Sequence, residues 1–125
     1  MSEWVLLLGG STGHGAATAK RLARDGFGII AFHFDRGDAK KIAEETIAEV
    51  NDITKGNRHY FNTNAASEES MDRYIPKINE ITNGKPLKLL LHSIAFGTTT
   101  NFFGEKPVTQ RQMDMTVHVM GNSLL

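Results

Sequence analysis

The chain has 125 residues, with 14 Lys and Arg, 14 Asp and Glu, five His and no Cys. This length suits one domain with its own core. A net charge of zero argues against a nucleic acid or an anionic membrane as a partner, and the lack of cysteine excludes disulfides, thiolate metal sites and Cys nucleophiles. No apolar run approaches the roughly 18 residues of a membrane span, and the N-terminus lacks the basic segment of a signal peptide, so we expect a cytoplasmic protein.

Short apolar runs alternate with segments of helical period along the whole chain. The predicted strands are residues 5–8, 28–34, 58–62 and 87–91, and the predicted helices are residues 14–25, 38–50, 68–82 and 110–125. Asp38 and Ser67 are expected as helix N-caps, and Thr109 with Gln112 forms a capping box. The order predicts an α/β fold over residues 1–125, a doubly wound parallel sheet of about four strands covered by helices on both faces.

Glycines are concentrated between the first strand and the first helix, where residues 8–15 read LGGSTGHG. Such a turn lets the backbone approach a pyrophosphate, and the helix N-terminus adds N–H groups and a positive dipole end. A triphosphate loop is excluded because Ala16 and Ala17 stand where Lys and Ser or Thr are required, and the strict G-x-G-x-x-G pattern fails at Thr18. The loop therefore predicts dinucleotide binding by Gly9, Ser11, Thr12, Gly13, His14 and Gly15.

The spacing that fits is G-x-x-x-G-x-G, from Gly9 through Gly13 to Gly15. It resembles the short-chain dehydrogenase/reductase family, whose usual form is T-G-x-x-x-G-x-G; here Leu8 replaces the Thr. The resemblance implies a Rossmann-like fold, a nicotinamide dinucleotide cofactor, hydride transfer and a homo-oligomer.

The end of the second strand bears on the choice between NAD and NADP. An acidic residue about 20 positions beyond the loop binds the ribose 2′-hydroxyl, whereas a nearby Arg accommodates a 2′-phosphate. Asp35 lies 20 residues after Gly15 and Arg36 follows it, while the family spacing also points to His33 as the discriminating position. Both cofactors stay open, with a preference for NADP because Arg36 can pair with a phosphate and His33 would present no carboxylate.

At the end of the third strand, the resembling family carries Asp or Asn and then a small apolar residue against the adenine. Asn64 and Ala65 match this pattern. The alternative for Asn64 is a local role in starting the next helix.

The fourth strand ends in HSIAFG at residues 92–97, where ordinary family members have Asn-Asn-Ala-Gly. This run resembles the enoyl-[acyl-carrier-protein] reductase branch. The resemblance implies that Ser93, Ile94 and Ala95 lie along the nicotinamide ribose and that Gly97 begins the substrate side. Because the glycine loop is that of ordinary members, both an enoyl thioester and a ketone stay open as substrates.

The family's catalytic pair is a Tyr-x-x-x-Lys motif, or a wider-spaced Tyr and Lys, beyond the fifth strand. This chain has Tyr60 and Tyr74, with no Lys four positions after either. Residues 116–121, TVHVMG, are similar to the family's N-x-x-G helix motif with His118 in place of Asn. His118 is therefore a catalytic candidate, against a simple packing role. The histidines show no helical i, i+4 pair, so we expect no metal site.

The sequence is thus interpreted as the N-terminal, cofactor-binding half of an NAD(P)H-dependent oxidoreductase that reduces an enoyl thioester, as in fatty acid synthesis, or a ketone. The alternative is a stand-alone, non-catalytic dinucleotide-binding or regulatory module. A phospho-receiver domain fits the length but would need acidic residues where Leu8, Gly9 and Gly10 stand.

Overall fold

A computed structural model describes residues 3–94 and 101–124, and the chain divides into two compact units, Met1–Ser93 and Ile94–Leu125. The first unit alternates strands and helices: β1 (Trp4–Leu8), α1 (Gly13–Arg24), β2 (Gly28–His33), α2 (Asp38–Thr54), β3 (Arg58–Asn62), α3 (Glu68–Thr82) and β4 (Leu89–His92).

The four strands form one parallel sheet in the order β3-β2-β1-β4. The chain moves outward from β1 to β2 and β3, and then crosses back to place β4 on the other side of β1. This reversal is the topological switch point of a doubly wound sheet, beside which ligands bind at the carboxyl ends of the strands.

The core follows the two-residue period of the strands. Val5 and Leu7 of β1 are fully buried in one cluster with Ile29 and Ala31 of β2 and with small residues of α1 such as Ala19. Phe32 points to the opposite face, where its ring meets that of Tyr74 in α3 at 5.7 Å between centroids. Helices therefore cover both faces, and the predicted Rossmann-like α/β fold is confirmed.

Element boundaries depend on pairing and turns as well as on apolar pattern. The sequence predicts the fourth strand at 87–91, but β4 starts at Leu89, because its ladder is fixed by the pairing of Leu89 with Val5 of β1. The predicted cap at Asp38 is wrong: Gly37, at φ +61°, turns the chain, and Asp38 is the first helical residue. Ser67 caps α3 as predicted, its side chain accepting a hydrogen bond from Ser70 N.

The second unit contains α4 (Gln110–Met120) and a short 3-10 helix (Asn122–Leu124). The predicted capping box is confirmed, with Thr109 and Gln112 bonded reciprocally at 2.9 and 3.2 Å. The prediction that this helix continues to residue 125 is wrong, because it ends at Met120 before Gly121, a residue with low helix propensity. Within residues 3–94 and 101–124, no helix has the length and apolar character needed to cross a bilayer.

Candidate functional site

The carboxyl ends of the four parallel strands bring those predicted site residues that lie in the first unit to one edge of the sheet. The strands end at Leu8, His33, Asn62 and His92, and the segments after them form that edge. The predicted cofactor residues of the described chain therefore come from segments far apart in sequence.

The glycine loop is folded tightly onto the end of β2. Gly9 N and Gly10 N both donate to the Phe32 carbonyl oxygen, at 2.8 and 3.3 Å. A Cβ on Gly15 would lie 1.6 Å from the Gly9 oxygen, so the start of α1 crosses the loop in direct backbone contact. Gly13, at φ +54°, adopts a left-handed conformation that side-chain-bearing residues disfavour.

The first turn of α1 presents backbone donors without side-chain capping by its N-cap residue. Thr12 is extended and makes no side-chain capping bond, and the helix ladder starts with Ala16 N donating to Thr12 O at 3.1 Å. The N–H groups of Gly13, His14 and Gly15 precede that bond, where a helix offers no acceptor of its own. The first turn also holds no acidic residue. This arrangement suits a pyrophosphate, whose charge the helix dipole favours.

A buried polar cluster joins the glycine loop to the end of β2. Ser11 Oγ donates to Asp35 Oδ2 at 2.6 Å, and His33 Nδ1 lies 2.8 Å from the same oxygen. A hydrogen bond from His33 to an ionised Asp35 carboxylate requires the tautomer that carries its hydrogen on Nδ1. The side chains of His33 and Asp35 are 6% and 14% exposed, so one carboxylate oxygen of Asp35 is already held by the protein.

The two residues flanking Asp35 are exposed and contact each other. The Arg36 guanidinium lies 4.7 Å from the centre of the Phe34 ring, in a cation–π arrangement. Phe34 itself is 48% exposed. In the segment after β2, the Arg36 guanidinium is therefore exposed to solvent, whereas the Asp35 carboxylate is mostly buried.

Tyr60 of β3 binds the backbone of the glycine loop through its hydroxyl group. Its hydroxyl donates to the Gly10 carbonyl oxygen at 3.0 Å, and its ring meets that of His33 edge-on. Burial raises the pKa of Tyr60 well above that of an exposed tyrosine, and the nearby Arg58 charge offsets this only in part. The Tyr60 hydroxyl therefore stays protonated and donates to the loop backbone, and its pKa is shifted away from the neutral range that favours general acid–base catalysis. The sequence patterns did not single out this role.

Asn64, Ala65 and Ser93 follow strands that end at the same edge. Asn64 is exposed, and its Oδ1 accepts a hydrogen bond from Ala66 N at 2.9 Å. Ala65 is buried beside it. Ser93 N donates to Leu8 O at 2.8 Å, which continues the β1–β4 ladder to the base of the glycine loop, and Ile94 is half-buried. Ala95 and Gly97 lie outside the described residues.

His118 lies on α4 in the second unit and is exposed. Its role as a catalytic candidate stays a prediction. In the part of the chain that the structure describes, no three His, Asp or Glu side chains cluster as metal ligands would.

Comparison with known proteins identifies the family. The model of the short chain dehydrogenase family matches residues 3–125, and the chain therefore belongs to that family. A search of curated proteins finds no significant match.

Solved structures of similar fold include three bacterial enzymes. A short-chain dehydrogenase/reductase from Serratia marcescens has a TM-score of 0.76 at 22% identity, over 98% of this chain and 46% of that one. A bulky-bulky ketone specific alcohol dehydrogenase from Comamonas testosteroni has 0.74 at 18%, over 98% and 46%. A short chain dehydrogenase from Bacillus anthracis has 0.73 at 16%, over 98% and 46%. The chain thus spans less than half the length of these proteins.

Proposed function

We propose that this chain is the cofactor-binding half of an NADPH-dependent reductase whose substrate is an enoyl thioester or a ketone. The family membership supports oxidoreductase chemistry with a nicotinamide dinucleotide, and the bound cofactor supplies the hydride. The observation that carries the proposal is the glycine loop. Gly15 packs directly against the backbone of Gly9, and the N-cap side chain makes no hydrogen bond to the first-turn N–H groups of α1.

The preference for NADP rests on how the charges after β2 are distributed. Arg36 is exposed, and the central carbon of its guanidinium lies 4.7 Å from the centre of the Phe34 ring. A guanidinium in this position is free to hold a phosphate in a bidentate pair. Asp35, the acidic residue that would favour a free ribose hydroxyl, has its Oδ2 bonded by Ser11 and His33. The positive group is thus the more accessible of the two to a ribose 2′-phosphate.

The two substrate classes rest on different observations. The run His92-Ser93-Ile94-Ala95-Phe96 favours an enoyl thioester, since it resembles the enoyl reductase branch. The ordinary form of the glycine loop and the likeness to a ketone-specific enzyme favour a ketone. In both cases, the residues of this chain hold the dinucleotide, and the proton donor has to come from a Tyr and Lys pair that this sequence does not contain.

The cofactor proposal is tested by titrating the chain with NADPH and with NADH. We expect NADPH to bind about ten- to hundredfold more tightly, the range of a charge-assisted pair with phosphate, and Arg36→Met to remove most of that preference. Arg24→Met is the matched control, because it removes the same charge at the far end of α1. Equal affinity for both cofactors, or an unchanged preference in Arg36→Met, would contradict the NADPH assignment.

The reaction is tested by offering NADPH with a crotonyl thioester and, separately, with an aryl ketone. We expect no oxidation of NADPH by the 125-residue chain and turnover of one of the two substrates by the protein read from the full frame. The spacing of the Tyr and Lys in the full reading frame would show whether the protein resembles ordinary family members or the enoyl reductase branch. Robust turnover by the 125-residue chain would contradict the proposal, and a reading frame that ends at residue 125 would favour the stand-alone dinucleotide-binding module.

A further inference from the structure

The segment that carries Arg36 is fixed by a side chain of the neighbouring strand. Asn62, the last residue of β3, donates from Nδ2 to the Asp35 carbonyl oxygen at 3.2 Å. Its Oδ1 accepts from Asp35 N at 3.2 Å. A primary amide has the donor and acceptor of a peptide group, so one side chain satisfies both backbone groups of Asp35.

This pair of bonds extends the β2–β3 ladder past its last strand residues. His33 of β2 is in register with Asn62, and Thr63 N donates to His33 O at 2.8 Å. The Asn62 side chain then takes the position of the next ladder partner and holds Asp35, two residues beyond. Gly37, with a φ of +61°, then turns the chain into α2.

Asp35 is also fixed through its side chain, by Ser11 and His33 at 2.6 and 2.8 Å. With both backbone groups and one carboxylate oxygen bonded, Asp35 has little freedom to rotate. Arg36 is the next residue in the chain, so the position of its backbone is fixed by the hydrogen bonds that Asp35 makes.

We propose that Asn62 is a positioning residue for 2′-phosphate recognition, acting through Asp35 to hold Arg36 over Phe34. The inference rests on the proposed NADPH function of the same site. Asn62 is exposed and uncharged, and it bonds backbone atoms rather than a ligand. Its loss should therefore affect the 2′-phosphate and leave binding of the rest of the nucleotide nearly unchanged.

The test compares adenosine 2′,5′-bisphosphate with AMP, because the two probes differ only in the 2′-phosphate. Calorimetric titration of the whole chain should show a Kd ratio in favour of the bisphosphate. Asn62→Ala should reduce that ratio by about three- to tenfold, as expected when losing one or two exposed hydrogen bonds lowers the competent fraction of the segment. AMP affinity should change by less than about twofold, since the phosphate loop is untouched.

A double-variant cycle separates positioning from a general loss of structure. In Arg36→Met, adding Asn62→Ala should not reduce the ratio further, because the group being positioned is gone. The matched control is Asn79→Ala, which removes an exposed Asn near the C-terminal end of α3, outside the predicted cofactor residues, and should leave the ratio unchanged.

The outcomes distinguish this inference from the proposed function. If Arg36→Met lowers the ratio and Asn62→Ala does not, or if Asn62→Ala weakens both probes equally, the positioning role is wrong and the NADPH site stands. If the unmodified chain shows no preference for the bisphosphate, both are overturned.

Discussion

The clearest test of the glycine loop conformation is Gly15→Ala, because the added methyl group would overlap the backbone of Gly9. An alanine Cβ at this position would lie 1.6 Å from the Gly9 oxygen, 2.7 Å from its carbonyl carbon and 3.2 Å from the Gly10 Cα. All three atoms belong to the backbone, so no side-chain rotation relieves the clash. The loop must move by roughly 1.4 Å before the Cβ–oxygen distance becomes tolerable.

The cost of that movement follows from the bonds that hold the loop. Gly9 N and Gly10 N donate to Phe32 O, and the Tyr60 hydroxyl donates to Gly10 O at 3.0 Å. A displacement of this size breaks or distorts all three. At about 0.5–1.5 kcal/mol each, their loss predicts destabilisation by about 1.5–4.5 kcal/mol. Dinucleotide affinity should fall beyond detection, because the same loop carries the phosphate donors.

The free energy of unfolding is measured by urea titration, with fluorescence of Trp4, the single tryptophan, as the probe. Gly13→Ala is the matched control: it meets no atom within 4 Å, and its φ of +54° predicts a cost of roughly 1–2 kcal/mol from backbone strain alone. If Gly15→Ala is destabilised by no more than Gly13→Ala, the close approach of α1 to Gly9 is wrong.

Two further predictions concern the supports of the loop. Because burial raises the folded pKa of Tyr60, its contribution to stability is fully present below the unfolded pKa of about 10 and declines at higher pH. Tyr60→Phe should lose about 0.5–1.5 kcal/mol at neutral pH and show a smaller decline in alkali; an equal decline in both proteins would contradict this. Ser11→Ala removes a donor from a poorly exposed carboxylate and should cost about 1.5–3 kcal/mol. Thr63→Ala, which removes a neutral bond to Ser70, should cost less; equal losses would show that the Asp35 charge adds nothing.

Much of the fold was predictable because it depends on local patterns. The apolar period located every strand and helix of the first unit, and capping signals located the starts of α3 and α4 at Ser67 and Thr109. Errors arose where a partner strand or one turn decides the boundary. β4 begins at Leu89 because this residue pairs with Val5 of β1. The sequence of residues 87–91 alone does not determine that register.

The site was predictable only in part, because residue type does not say which way a polar side chain faces. Asp35 has the spacing of a ribose ligand, yet its Oδ2 is bonded within the protein. Asn62 and Tyr60 were not identified, because an Asn ending a strand and a Tyr inside one are common and carry no motif. Their roles depend on contacts with residues 27 and 50 positions away, Asp35 and Gly10.

Burial divides the polar residues of the sheet edge into two groups with different expected effects. Ser11 and His33 are buried, and Asp35 is nearly so; they bond to one another, so their substitution should lower stability and affect ligands only through the loop. Thr12 and Arg36 are exposed at the same edge, so their substitution should change affinity with little effect on unfolding. Asn62 belongs to neither group, since it is exposed and yet bonds only backbone. If Asn62 is a positioning residue, its substitution should therefore change the selectivity for the 2′-phosphate without a matching change in the free energy of unfolding. Substitution of a core residue should change the free energy of unfolding instead, and substitution of a residue that binds the ligand directly should change affinity.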